Sequence, residues 1–402
     1  MSGCSIFTEY GQLTNSAEKS YQSGDYDNAV RYSSRALKLK PDYTEAQVIL
    51  VESWPFAIGK HDKQVKELGI KKDLNSVRFR VEEYRTLIEL NTMVKNLPPL
   101  INEATNQKIE LKTTDYSEKF TAAEQVAADA YYNSANKIGL EGGIKNSRQA
   151  AKWFAEIKTF DSFEGGYKDS EALYEKYRQA GTKRIAILAF ENKSGKSDFG
   201  PIGESLSELI IKKVMDTPGA LEFLEIISVD EVNHDINSSG TVKKTDILKL
   251  GKELRLHEII TGQITQVSVV NDLTKDEERV LKKEIEENIG EEGKQINQTR
   301  EISAVVLVST IDERASIAGS YKIIDAKTAK LIETLSTTGK HIYYHQWGRI
   351  LGDGDERAIS EELKEIIRNT YGKIESNEII INKAIDKLAK SLASEIIVYT
   401  EK

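Results

Sequence analysis

At 402 residues, with 39% hydrophobic and 30% charged side chains, the chain has the make-up of a globular protein of two or three domains with sizeable cores. Its net charge of −8 argues against nucleic acid as a main partner, because neutralising phosphates takes a concentrated basic face. No stretch approaches the length of a membrane-spanning helix, and Met1-Ser2-Gly3 leaves no room for an apolar signal segment.

Cys4 is the sole cysteine, so no intrachain disulfide is expected. Its setting, Ser2-Gly3-Cys4-Ser5, resembles the tail of a bacterial lipobox, in which small residues precede a cysteine that becomes the lipid-bearing N-terminus. Met1 stands where a leucine is usual, as though a signal peptide had been removed. The expectation is a lipid-anchor tail over residues 1–12, with an incidental cysteine in a frayed terminus as the alternative.

Residues 13–60 resemble a tetratricopeptide repeat. Gly24, Tyr26, Ala29, Ala36 and Pro41 stand at that family's spacings for the turn, the small packing positions and the closing proline. Ala17 and Ser20 depart from it, where a glycine and a tyrosine are usual. A further helix from Tyr43 to about Phe56 is expected to cap the repeat. Residues 61–116 read as a helical connector with one run over 77–94, broken by Pro98-Pro99. A second helical-repeat unit follows over 117–181, with one apolar stripe through Phe120, Ala123, Ala127, Ala130 and Tyr131. Another passes through Ala150, Trp153, Phe154 and Ile157, and Asp169 or Ser170 is a candidate cap for the last helix. An irregular solenoid of this kind binds a partner along one face or serves as a spacer.

From residue 182 the pattern changes to alternating strands and helices. Residues 184–190 form a nearly continuous apolar run, as a strand buried on both faces requires. After a polar loop, 191–200, a helix carries Leu206, Leu209, Ile210 and Val214, with Pro201 and a Ser205/Glu208 capping box as start signals. Strands are expected at 224–229 and 258–270, and a helix at 245–254 capped by Thr245 or Asp246. Three further strands are expected at 301–311, 317–324 and 331–344, the last two joined by a tight turn at 325–330. Between them, 271–300 is an intensely charged insert whose Glu278–Lys282 spacing suits a solvated helix. A loop and helix over 352–371 precede a C-terminal helix with Ile381, Ile385, Leu388, Leu392 and Ile396 on one stripe. The fold class is therefore an N-terminal all-α helical-repeat region followed by a mixed α/β sheet domain.

In the order of its segments, the second half resembles the curli production and secretion (CsgG-type) lipoprotein family. The segments are RIAILAFEN, SLSELIIKKV, LEIISVDEV, LGKELRLHEIITGQI, YKIIDAKTAKLIETLSTTGK and AIDKLAKSLASEI. The resemblance implies an outer-membrane lipoprotein whose periplasmic α/β domains assemble into a ring. In its best-known members two β-hairpins per subunit build a secretion pore, narrowed by the loop after the first strand. Carried over, Asn192, Lys193, Lys196 and Phe199 would face such a channel. The pore itself does not carry over. A lipid-facing strand alternates apolar residues, whereas 271–299 would place many charges in hydrocarbon, and each Arg or Lys there costs about 2–4 kcal/mol. The second hairpin's place, 346–373, reads as helix.

Ser194-Gly195-Lys196-Ser197 lacks the earlier glycine of a phosphate-binding loop, since Phe190 stands in its place. His341 and His345, with Asp353, Asp355 and Glu356 nearby, are weak zinc candidates. A half-exposed strand carrying Tyr and His is the plainer reading. His61, His234 and His257 are isolated in the sequence, and no catalytic constellation or cofactor is expected. The expected function is a non-enzymatic, lipid-anchored scaffold or assembly factor on the periplasmic face of a Gram-negative outer membrane. It would bind protein partners and its own copies, but not nucleic acid. The alternative is a soluble tetratricopeptide-type peptide-binding adaptor.

Overall fold

A computed structural model describes residues 8–102, 105–227, 242–289 and 296–401. They belong to two units, Met1–Gly181 and Thr182–Lys402. Cys4, His234 and the last residues of the strand expected at 224–229 lie outside the described residues.

In the first unit each helix packs on the next: α1 (Glu9–Gln22), α2 (Tyr26–Leu39), α3 (Thr44–Gly69), α4 (Leu74–Lys95), α5 (Ser117–Glu141), α6 (Ile144–Ile157) and α7 (Ser170–Gly181). Small side chains set the approach of α1 and α2, where Ala17, Ala29 and Ala36 are fully buried. Gly24 makes the intervening turn at φ +78°. Thr8 and Asp25 cap the two helices, accepting from the amides of Gly11 and Asn28. Helix α3 does not stop near Phe56 as expected; it passes through Pro55, on its exposed side, and ends at Gly69. The connector is not wholly helical either. After Pro98-Pro99, β1 (Leu100–Asn102) and β2 (Gln107–Ile109) pair as an antiparallel ribbon.

Two buried ionisable groups tie these helices together. Glu124 on α5 is fully buried, and its carboxylate accepts from the amides of Asp161 and Ser162, the start of a 3-10 turn (Asp161–Phe163). His61 is not isolated, as its place in the sequence suggests. It lies on α3 between Asp27 of α2, whose carboxylate is 3.0 Å from Nε2, and Glu83 of α4, which bonds Nδ1. Lys60 Nζ lies 3.2 Å from the same Asp27. Burial pushes the imidazole toward its neutral form, but the two carboxylates outweigh it and raise its pKa above the usual 6.5.

His61 therefore contributes stability that is fully present below pH 6.5 and is lost as pH climbs through its raised folded value. Asp27 runs the other way, with its carboxyl held down by His61 and Lys60 against the opposing effect of burial. Its contribution is present above its ordinary value of 3.8 and fades as pH falls through the folded one. Urea unfolding followed by amide exchange in α2–α4 is expected to move to lower urea between pH 6 and pH 9. His61→Gln is expected to flatten that dependence.

The second unit is a six-stranded sheet in the order β5–β3–β6–β7–β8, with a short β4 pairing on β6. Its strands are β3 (Lys183–Ile187), β4 (Glu191–Asn192), β5 (Leu224–Ile227), β6 (Glu258–Ile289), β7 (Ile296–Asp325) and β8 (Leu331–Leu351). β3 is parallel to β5 and β6, while β6, β7 and β8 are antiparallel. Alternation along β3 sends Ile185 and Ile187 to one face and Ala186 and Leu188 to the other. The first face is covered by α8 (Ile202–Met215) and α11 (Asn377–Glu401), the second by α9 (Lys244–Glu253). The C-terminal stripe Ile381, Ile385, Leu388, Leu392 and Ile396 is buried as expected. Each such side chain is worth about 1.5–3 kcal/mol when fully buried.

Several expectations are corrected. The charged insert is not helical: Lys275–Ile289 and Ile296–Thr310 extend β6 and β7 as one continuous ladder. The strands expected at 301–311 and 317–324 are a single β7, and β8 runs past residue 344 to Leu351. Helix α8 is capped at Pro201 and begins at Ile202, so Ser205 and Glu208 sit inside it and form no capping box. At α9, Asp246 acts from the third helical position, accepting from the Lys243 amide at 3.1 Å. The helix expected beyond residue 352 is α10 (Glu361–Arg368), preceded by a 3-10 turn (Glu356–Ala358).

Candidate functional site

The loop after β3 is positioned by Phe190. Here the chain leaves the ladder between β3 and β4, and the Phe190 ring turns into the core shared with α8 and α11. Two glycines make room for it. A Cβ at Gly262 would stand 2.2 Å from the Phe190 ring, and one at Gly203 would stand 1.8 Å from its carbonyl oxygen. Beyond it, Asn192 closes the loop. Its Oδ1 accepts from the Ser194 amide and hydroxyl, and its Nδ2 donates to the Lys196 carbonyl at 2.8 Å.

Of the four residues expected to face a channel, Asn192 spends its side chain on this turn, and Lys193 lies 3.0 Å from Glu191. Phe199 is half-buried against the α8–α11 core. Lys196 is exposed on the loop. The Ser194–Ser197 segment is thus an asparagine-held turn, and it stands apart from the start of α8 at Ile202.

Beside the loop, on the α9 side of the sheet, a pocket of about 210 Å³ is lined by Lys193, Thr261, Gln263, Ser320 and Lys322. Thr261 sits opposite Lys322 and Gln263 opposite Ser320 across the β6–β7 ladder, so pairing register alone assembles these groups. Sequence reasoning missed them, because residues about sixty apart become neighbours only once that register is known. Glu191 also lines the pocket and pairs with Lys193, so Lys322, two hydroxyls and an amide are left to meet a small polar ligand. Further along the same face, Ile342 and Tyr344 on β8 are 61% and 58% exposed.

His341 and His345 both lie on β8 but do not gather a metal set, and among the described residues no cluster of three ligating side chains does. His345 Nε2 donates to the Thr370 carbonyl at 2.8 Å, and its ring stacks between Tyr343 and Trp347. His341 is held toward its neutral form by burial and by Lys383 and Lys387. Asp355 is engaged by Arg357, whose hydrogen bonds pull its carboxyl down to about 2. His257, also expected to be isolated, accepts the Arg184 amide at Nδ1, and burial pushes its pKa below the usual value.

Fold and site together define the class: a helical unit followed by a mixed α/β unit drawn out into a three-stranded ribbon. The chain matches no protein-family model and no curated protein. Among solved structures, the lipoprotein GNA1162 from Neisseria meningitidis aligns with a TM-score of 0.24 at 8% identity, over 40% of this chain and 83% of that one. The hypothetical protein CT253 from Chlamydia trachomatis aligns with a TM-score of 0.28 at 8% identity, over 55% of this chain and 98% of that one. Likenesses at this level carry no argument, so the reading of function rests on the chain's own residues. No helix among the described residues is long and apolar enough to cross a membrane.

Gly262→Val is expected to expel the Phe190 ring and destabilise the protein by about 1–3 kcal/mol, as overpacking does. Limited proteolysis within residues 191–200 should accelerate in the variant, and a urea titration gives the stability change.

Proposed function

We propose that this protein is a non-enzymatic, lipid-anchored scaffold on the periplasmic face of an outer membrane. It assembles with its own copies through the α/β unit and recruits a protein partner through the helical unit. The anchor reading rests on Ser2-Gly3-Cys4-Ser5 and on the resemblance of the second half to curli-type secretion lipoproteins.

The observation that supports assembly most is the ribbon β6–β7–β8. It ends on the outer edge of β8, with which no described segment pairs over residues 331–344, next to exposed Ile342 and Tyr344. An unpaired strand edge of this length is a ready template for pairing with another chain. Charge along 275–287, including Glu277, Glu278, Lys282, Lys283 and Glu284, suits a ribbon standing in water rather than one crossing lipid.

Expression in a Gram-negative host with the native upstream sequence tests both parts. Mass spectrometry should find an acylated Cys4 at the mature N-terminus, lost in Cys4→Ser. Electron microscopy of the purified protein should show closed rings, and Ile342→Lys together with Tyr344→Lys should convert them to monomers. An unmodified Cys4 refutes the anchor, and a monomer at all concentrations refutes the assembly.

A further inference from the structure

The first unit carries a cleft that belongs to neither the repeat-like helices nor the sheet. Beyond the Leu100–Ile109 pair, the last rung of β1–β2, the two chain segments part and leave an opening of about 630 Å³. That lies within the range of about 300–1,000 Å³ typical of ligand clefts. One wall is Leu97-Pro98-Pro99, at the end of α4. The other is residues 110–113, which follow β2 and pair with no strand among the described residues.

Three features say what would fill it. First, Pro98 and Pro99 carry no N–H, so the wall they form cannot extend the ladder and close the gap. Among the described residues the amides of 110–113 take part in no backbone–backbone hydrogen bond, while the Lys112 carbonyl accepts from Trp54 Nε1 at 3.3 Å. Second, Leu97, Ile109 and Leu111 reach the core beneath, and all three remain half-exposed. Third, the lining contains Lys95, Lys108 and Lys112 against a single acid, Glu110, which lies 3.0 Å from Lys108. A basic rim is notable in a chain with a net charge of −8.

We propose that this cleft binds an extended acidic peptide segment of a partner protein, which adds as a strand alongside residues 110–113. Backbone groups of 110–113 other than the Lys112 carbonyl, which Trp54 holds, would supply affinity, as in other strand additions. Alternate side chains of the peptide would then point to opposite faces. Apolar ones would meet Leu97 and Leu111, and acidic ones would meet Lys95 and Lys112. This deepens the recruitment part of the proposed function by naming the partner's chemistry, and it depends on neither the lipid nor the ring.

Fluorescence anisotropy with the full-length protein tests it, using labelled alternating Glu-Val and Lys-Val hexapeptides as probes. The Glu-Val peptide should bind saturably at low salt and the Lys-Val peptide at least tenfold more weakly, the scale of about 1.4 kcal/mol in affinity. Lys95→Glu with Lys112→Glu, both exposed positions, should reverse that order while leaving the thermal melt unchanged. N-methylation of alternate Glu-Val residues on the pairing edge should abolish binding if the contact is a strand addition. Equal binding of the two peptides, or an unchanged preference in the double variant, overturns the proposal. So does a concentration-dependent dimer lost in the double variant without peptide binding, since a second copy would then fill the cleft. Loss of acylation or rings with peptide binding intact would remove the anchor and assembly readings alone.

Discussion

The second unit depends on the register between β7 and its two neighbours. β7 pairs with β6 on one side and β8 on the other, and its ladder with β8 is unbroken from Val305 to Ile323. With a period of two, that ladder commits every side chain to one face or the other. Near the base, odd-numbered Ala315, Ile317, Tyr321 and Ile323 lie under α11. Toward the tip, even-numbered Ile302, Ala304, Val306 and Val308 lie under α10 and the turn before it. Helices α10 and α11 therefore cover opposite faces of one ribbon. A slip of a single residue would expose both stripes at once. The link between the two helices passes the free edge of β8, where Asn369 Nδ2 donates to the Gln346 carbonyl at 2.9 Å.

In the helical unit, packing alone does not select neighbours. Alanine contacts between α1 and α2 would tolerate small slides along the helix axes, since a smooth interface carries little registration. Elsewhere in the unit, His61 fixes α3 against α2 and α4, and Glu124 fixes α5 against the 3-10 turn, because their buried polar groups find partners in one arrangement only. The imidazole between Asp27 and Glu83, whose carboxylates favour its protonated form, joins three helices at one point. Removing the imidazole leaves Glu83 without its partner on α3, while Asp27 keeps only Lys60, and stripping a partner from a buried polar group is costly. The same logic holds for Glu124, whose two oxygens take the first amides of the 3-10 turn.

What could be read from the sequence follows from the range of the interactions involved. The helix pair expected at the start of 13–60, the strand expected at 184–190 and the stripe of the last helix are local patterns of period 3.6 or 2; the pair is present as α1 and α2, the strand as the shorter β3 (Lys183–Ile187), and the stripe is buried. The charged insert was misread because Glu and Lys favour helix in isolation, and Glu278–Lys282 fits a helical turn. What overrides that preference lies elsewhere in the chain: Leu281 and Ile285 join the apolar cluster beneath Leu363 and Ile359. The partners of His61 are 34 and 22 residues away, so the sequence gives no hint of the clasp. For α8, two start signals competed. The helix starts directly after Pro201, which takes the N-cap position, leaving Ser205 one turn inside.

An exposed strand edge is a hazard that folded chains manage, and β8 manages only part of its length. Over its final stretch the edge is obstructed. Asn369 occupies the Gln346 carbonyl, Thr370 takes the His345 ring, and the Tyr371 ring lies 4.7 Å from Trp347. Arg349 adds a charge there. Over residues 331–344 no described segment pairs with the outer edge, and exposed Leu331, Ile332, Ile342 and Tyr344 stand along it. Glu333 and Lys340 are the charged side chains within 331–344, which is thin protection by the standard of edges that must stay alone. Bare in one half and blocked in the other, the edge confines any strand added by association to the base of the ribbon. The tip would stay free in water.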